Sequence, residues 1–411
     1  MRQVCELLRP YKQPLRVLAG IIAMSAVGAA VTDCVGASPA EQAANLHLPP
    51  GFTGEVVASV HGARELAALP NGDLLVGTEG HTIAIVPHAE NPGAAGEPKT
   101  FVELGEGPAA GVALGPDGAV YAATDHFVWR IAYHAGAQSG SNPQIVARVR
   151  QGPVAPHSDG DVHSTTSVAV SPTTIFISVG SSCNACTETD PTRATIQQVP
   201  LRGGTMSARA THIRNAIALT IDPASGHLWA AGAGQDNLPY GHPYEFADDV
   251  SARPGVADYG WPSCEEDHHA YNPLGVEPPP SCDDVVVPLV ELPAYATHIG
   301  AVFYPSAPRG AYAFPGHYRG GLFIASHGSW HCCPATVPRV EFVPMRGDRP
   351  AKPVNWDDPT TQWEPFLSDA RAVTSDTHWK MRFTGIAVGS RGSLFVADDL
   401  AGEIYRIRPA R

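Results

Sequence analysis

Charge is scarce in this 411-residue chain: 16% of its residues are Asp, Glu, Lys or Arg, and the 40 acidic ones outnumber the 27 basic ones. With a formal charge of −13 and no basic stripe to meet phosphates, a nucleic-acid partner is excluded. The chain also lacks a Gly-Lys-Ser/Thr phosphate loop, a Gly-x-Ser-x-Gly elbow and a His-Glu-x-x-His zinc helix. Cys183 and Cys186 form a Cys-x-x-Cys pair, but Thr187 follows where a c-type haem requires His. The uncharged run from Val17 to Val31 is too short to span a bilayer comfortably.

That run has another use. Arg2, Arg9, Lys12 and Arg16 precede it, and Val35-Gly36-Ala37 supply small residues for cleavage, the pattern of an export signal rather than a retained anchor or a plain helix. Residues 1–44 are therefore expected to be a signal peptide and short linker, with the folded domain over 45–411. The destination is periplasmic or extracellular, and any membrane association runs only through the N-terminal segment. Cys34 would suit a lipoprotein anchor, but Asp33 occupies a place that wants a small residue. In an oxidising compartment, disulfides are the simplest use of Cys183/Cys186, Cys264/Cys282 and the adjacent Cys332/Cys333; zinc would want a clearer second ligand pair.

Turn formers are abundant, with 41 Gly and 39 Pro, and an internal repeat uses them. An alternating apolar strand, a turn and a second strand occur at Leu66–Val76 and return at Val112–Ala122. Weaker copies lie at Val168–Ser178, Leu219–Ala230 and Ile386–Ala397, and Gly321–Ala325 matches the second half alone. Third strands follow at His126–Ile131 and Glu403–Ile407. Blades of four strands need roughly 40–50 residues, so the spacing predicts an all-β, six-bladed β-propeller with insertions; a β-sandwich would leave the repeat unexplained. The longest insertion is expected from about Pro239 to Pro293, pinned at the surface through Cys264 and Cys282.

Polar residues recur at matching places beside the repeats. His163 precedes the third, where it can serve as a base or merely as a hydrogen-bonded surface His. Arg214-Asn215 precedes the fourth, suited to an anionic, oxygen-rich ligand or to a structural salt bridge. Gly232 to Asn237 follows that blade's second strand; its carbonyls and Asp236 could hold Ca²⁺, or the segment could be a tight turn.

The order of these stretches, with Val179–Cys186, Tyr259-Gly260-Trp261-Pro262, Tyr318–Phe323 and His327-Gly328-Ser329-Trp330, resembles the glucose/sorbosone dehydrogenase family over residues 48 to 408. Its members are six-bladed quinoproteins using pyrroloquinoline quinone (PQQ) and Ca²⁺, and the sorbosone and pyranose dehydrogenase branch is most similar. The resemblance implies His163 as general base, Arg214 and Asn215 at PQQ oxygens, with Arg214 also stabilising developing charge. It implies carbonyls of Gly234 and Gln235 on Ca²⁺, Asp236 assisting, and Arg382 on a cofactor carboxylate. His298, His327 and Trp330 are further candidate contacts with cofactor or substrate. A sugar or related aldehyde would be the donor, and a separate quinone or cytochrome the electron acceptor.

Three departures stand out: Thr166 where the family often has Arg, His331-Cys332-Cys333 after Trp330, and Arg382-Phe383-Thr384-Gly385 in the last blade. Two other readings compete, a glycan- or protein-binding propeller without turnover and a Ca²⁺-dependent lactonase-type hydrolase. The hydrolase would want several carboxylates on one ion, where this chain offers Arg-Asn.

Overall fold

The computed structural model describes residues 39–410, apart from 92, 94, 157–162, 239–240 and 331–333. The export segment, the Cys332/Cys333 pair and the residues just before His163 thus lie outside the described residues. Among the described residues no helix is long and apolar enough to cross a membrane.

Six antiparallel sheets form the propeller, as the repeat predicts. Their inner strands are Ala63–Ala68, Gly111–Leu114, Thr166–Val170, Asn215–Ile221, His298–Phe303 and Phe383–Val388, which define blades 1 to 6. Each repeat is the hairpin between an inner strand and the next one out, as in Val168 opposite Ile177 or Leu219 opposite Ala230. Apolar side chains fill the gaps between blades; Phe323, Phe342, Phe383 and Tyr405, for example, pack between blades 5 and 6. This burial holds the ring together.

Closure comes from the far end of the chain. Phe52–Ser59 pairs antiparallel with Glu403–Pro409, so an N-terminal strand completes the blade whose other three strands are C-terminal. Leu46–His47 adds a fifth strand to blade 5 against Ser368 and Asp369. Neither role is visible in the repeat.

The long insertion is shorter than expected. Glu245–Asp249 and Val290–Leu292 belong to blade 4 itself, as its third and fourth strands, so the excursion runs from 250 to 289. It is pinned by the expected Cys264–Cys282 disulfide, and it lends Ala257–Asp258 to blade 3 as a parallel strand.

Along the axis runs a cavity of about 350 Å³ lined by inner strands of all six blades. Gly300 and Gly385 let neighbouring strands approach: a Cβ would fall 2.3 Å from the Thr384 carbonyl oxygen at one and 2.2 Å from that of Arg64 at the other. Glu65 projects at the strand-entrance end and accepts a bond from the Ser167 hydroxyl, and burial raises its carboxyl to about 8.

Candidate active site

Residues that precede inner strands and residues that follow second strands meet at one end of the propeller. Four of the six inner strands start irregularly: register shifts fall between Ala63 and Leu66, Asn215 and Ala218, His298 and Gly300, and Phe383 and Ile386. Bulges at strand ends re-aim the side chains there. The unusual polar residues gather around these starts.

One arc of the rim belongs to blades 3 and 4. His163 is partly exposed, and its Nδ1 lies 2.9 Å from the Ser181 carbonyl oxygen. A carbonyl only accepts, so Nδ1 carries the proton and Nε2 is left as the basic nitrogen. Beneath it Arg150, whose side chain is fully buried, donates to the carbonyls of His163 (2.7 Å), Ser164 (2.7 Å) and Thr165 (3.0 Å) and pairs with Asp125. Three successive carbonyls on one guanidinium hold the backbone that carries His163.

Asn215 is its neighbour across the entrance. It is buried, and its side-chain oxygen Oδ1 has no hydrogen-bond partner. Gly180 lies between them: a Cβ there would meet His163 Cβ at 2.5 Å and Asn215 Oδ1 at 2.6 Å. A lone buried amide oxygen costs on the order of 1–3 kcal/mol, and such cost is ordinarily offset by a ligand or water.

Arg214 is buried and uses three of its five N–H donors within the protein. It donates from Nε to the Asn184 carbonyl (3.2 Å), from Nη1 to the Gly234 carbonyl (2.7 Å) and from Nη2 to Asp236 (2.8 Å). The cation and the oxygens expected for a metal are therefore bonded to each other. A carbonyl has two lone pairs, so the Gly234 oxygen can serve Arg214 and an ion together. Gln235 is buried, and its amide donates to the Pro262 carbonyl (3.0 Å) and to Glu265 (2.8 Å). Burial raises the Glu265 carboxyl to about 8.

The other arc belongs to blades 5, 6 and 1. His327 Nε2 lies 2.9 Å from Asp399, which also takes Arg64 Nη1 at 2.7 Å. Burial lowers His327 to about 4, and Arg382 and Arg64 add to that against the pull of Asp399. It is thus a neutral imidazole donating to a carboxylate. Burial alone would raise Asp399, yet the bond from His327 and the two arginines hold it below the usual carboxylate range. Arg382 donates to the carbonyls of His327 (2.9 Å) and Gly328 (3.0 Å). Trp330 stands beyond them, 63% exposed.

His298 differs from expectation. It is wholly enclosed, with Nδ1 2.6 Å from Glu245 and Nε2 3.7 Å from Glu341. Burial opposes its charge, but the two carboxylates prevail and raise it to about 9. As a strand-opening residue it looked like a rim contact; the bulge after it turns the ring inward between blades.

Sequence reasoning missed Arg64, Asp399, Arg150 and Asn184. Asp399 carried a usable mark, since it directly follows the second strand of blade 6 as Gly234 follows that of blade 4; Arg64 did not, lying inside its inner strand where His163 precedes its own. Arg150 carried none, being an arginine in a connection 13 residues before the histidine it supports.

No curated protein matches the sequence. Among solved structures, the holo PQQ domain of pyranose dehydrogenase from Coprinopsis cinerea is similar, with TM-score 0.70 and 18% identity over 88% of this chain and 97% of that one. A calcium structure of the carbohydrate-active enzyme family AA12 from Trichoderma reesei superposes with TM-score 0.69 and 17% identity, over 89% and 97%. The PQQ-bound aldose sugar dehydrogenase of Streptomyces coelicolor gives TM-score 0.56 and 18% identity, over 88% and 99%. At such identities these likenesses speak for the fold alone. The family profile that matches spans residues 46–254 and 266–410, nearly the whole propeller, and by that match the chain belongs to the TrAA12-like family.

Proposed function

We propose that the protein is an exported quinoprotein that oxidises a sugar or related aldehyde with PQQ and Ca²⁺. The observation that carries this is local: a histidine with Nδ1 tied to a carbonyl stands across Gly180 from a buried amide oxygen without a partner. Family membership and the PQQ-bound and calcium-bound relatives support it. The donor chemistry also fits. PQQ is a planar tricarboxylate, and three arginines, Arg64, Arg214 and Arg382, stand on this rim to meet it.

Bound PQQ would supply the hydride acceptor, and Ca²⁺ the Lewis acid that polarises it. His163 takes the hydroxyl proton of the sugar at Nε2 and holds the resulting positive charge through Nδ1–H on Ser181. Arg214 would hold cofactor oxygens and balance negative charge on them, and Asn215 would hold them through its side-chain N–H groups. Arg382 binds a cofactor carboxylate. Carbonyls of Gly234 and Gln235 would hold the ion, with Asp236 assisting. Trp330 offers a flat wall, and neutral His327 keeps Asp399 between two arginines. His298 acts only within the fold. A separate quinone or cytochrome would be the electron acceptor.

The test is reconstitution of the mature protein with PQQ and Ca²⁺, followed by dye reduction across aldoses, sorbosone and lactones. His163→Ala should lower turnover by about 10²–10⁴-fold while PQQ binding stays within a few-fold. Absence of both PQQ binding and dye reduction in the unaltered protein would overturn the proposal.

A further inference from the structure

Three parts of the proposed site lean on one short loop. It follows the second strand of blade 3, Thr174–Val179, and is closed by the Cys183–Cys186 disulfide. Ser181 takes His163 Nδ1, and the Ser181 amide in turn donates to the Arg214 carbonyl at 2.9 Å. Asn184, inside the disulfide loop, does more. Its carbonyl oxygen accepts Arg214 Nε and Trp261 Nε1, each at 3.2 Å. Its side-chain amide brackets Asp236, accepting from the Asp236 N–H at 2.7 Å and donating to the Asp236 carbonyl at 2.9 Å.

We propose that Asn184 is a positioning residue, which sets the Gly234–Asp236 segment against Arg214 while the Cys183–Cys186 disulfide holds its backbone in place. Only an amide can satisfy both backbone groups of Asp236, because a carboxylate has no donor and an aliphatic side chain has neither function. The distances also show why one residue matters so much. Asn184 is what ties the Asp236 backbone to this loop, whereas the bonds from Arg214 reach the Gly234 carbonyl and the Asp236 carboxylate and those of Gln235 are made by its side chain. What the segment is positioned for rests on the functional reading above; the positioning itself does not.

The experiment therefore has one arm without ligand. In hydrogen–deuterium exchange of the apoprotein, Asn184→Ala should deprotect the peptide containing Asp236, with the rest of blades 3 and 4 unchanged and the melting temperature close to that of the unaltered protein. Asn184→Asp keeps the acceptor for the Asp236 amide but sets a carboxylate oxygen against the Asp236 carbonyl, so it should restore protection only in part. Cys183→Ser with Cys186→Ser should shift protection in the same direction by a smaller amount, and supplies the test if Asn184→Ala fails to fold.

In the second arm, the Ca²⁺ concentration that half-saturates PQQ binding, followed by absorbance, should rise about 10-fold or more in Asn184→Ala, with turnover at saturation within a few-fold. Unchanged exchange at Asp236 would overturn the proposal. So would exchange that rises evenly across both blades with a fallen melting temperature, which marks a structural role alone. If the unaltered protein binds no PQQ but Asn184→Ala still exposes Asp236 selectively, the functional reading falls and the positioning role stands.

Discussion

The two arcs of the rim reach order by opposite means. Around His163 and Arg214 almost every bond ends on a backbone carbonyl, in loops drawn together by a disulfide and by the buried Arg150. Around His327 and Arg382, a carboxylate between two arginines is central. Each arc holds a histidine. On the first, Nδ1 meets the Ser181 carbonyl. On the second, burial and two cations press His327 down to about 4, so it only donates. A carboxylate ordinarily raises a neighbouring histidine; here burial and two cations outweigh it.

The largest expected effect tests the backbone-held arc. Arg150→Lys keeps the charge but cannot span three carbonyls, so turnover should fall about 10²-fold through misplacement of His163. Single-turnover kinetics with PQQ already bound would separate this from lost affinity. On the other arc, Arg382→Gln should weaken PQQ binding by about 10- to 100-fold, the worth of a charged hydrogen bond, with turnover at saturation little changed. If Arg382→Gln instead cut turnover and spared affinity, the division between the arcs would fail.

Gly180→Ala is smaller and sharper. Its methyl group meets His163 and Asn215 together, and both must give by a few tenths of an ångström or more. Turnover and PQQ affinity should each drop about 10-fold, and Gly180→Ser should be no better. The smallest effect lies outside both arcs. His298 is held charged to about 9, above its ordinary value of about 6.5, so its stabilisation is complete below pH 6.5 and is lost as pH rises through 9. Melting temperatures measured from pH 6 to 10 should show that decline. The gap between the unaltered protein and His298→Gln should narrow over the same window.

How far the site could be read in advance follows the same division. His163, Arg214-Asn215 and the Gly234–Asp236 segment sit beside repeats whose period is written in apolar alternation and turns, so their convergence was legible. Arg150 acts across a connection 13 residues long, Asn184 on a segment 52 residues on and Asp399 on Arg64, 335 residues away. No local pattern encodes such a pairing. His298 was misplaced for a related reason, since a one-residue bulge decides whether the first side chain of a strand faces the rim or the gap between blades.

The sequence by itself determined the blades, their number and the order of the polar residues around the ring, because strand alternation and turn chemistry are local and repeat. Only the tertiary structure decided how the ring closes with Phe52–Ser59, how short the real insertion is, and which partner each histidine meets. Those outcomes depend on register, burial and the charges packed nearby, and these exist only once distant strands have met.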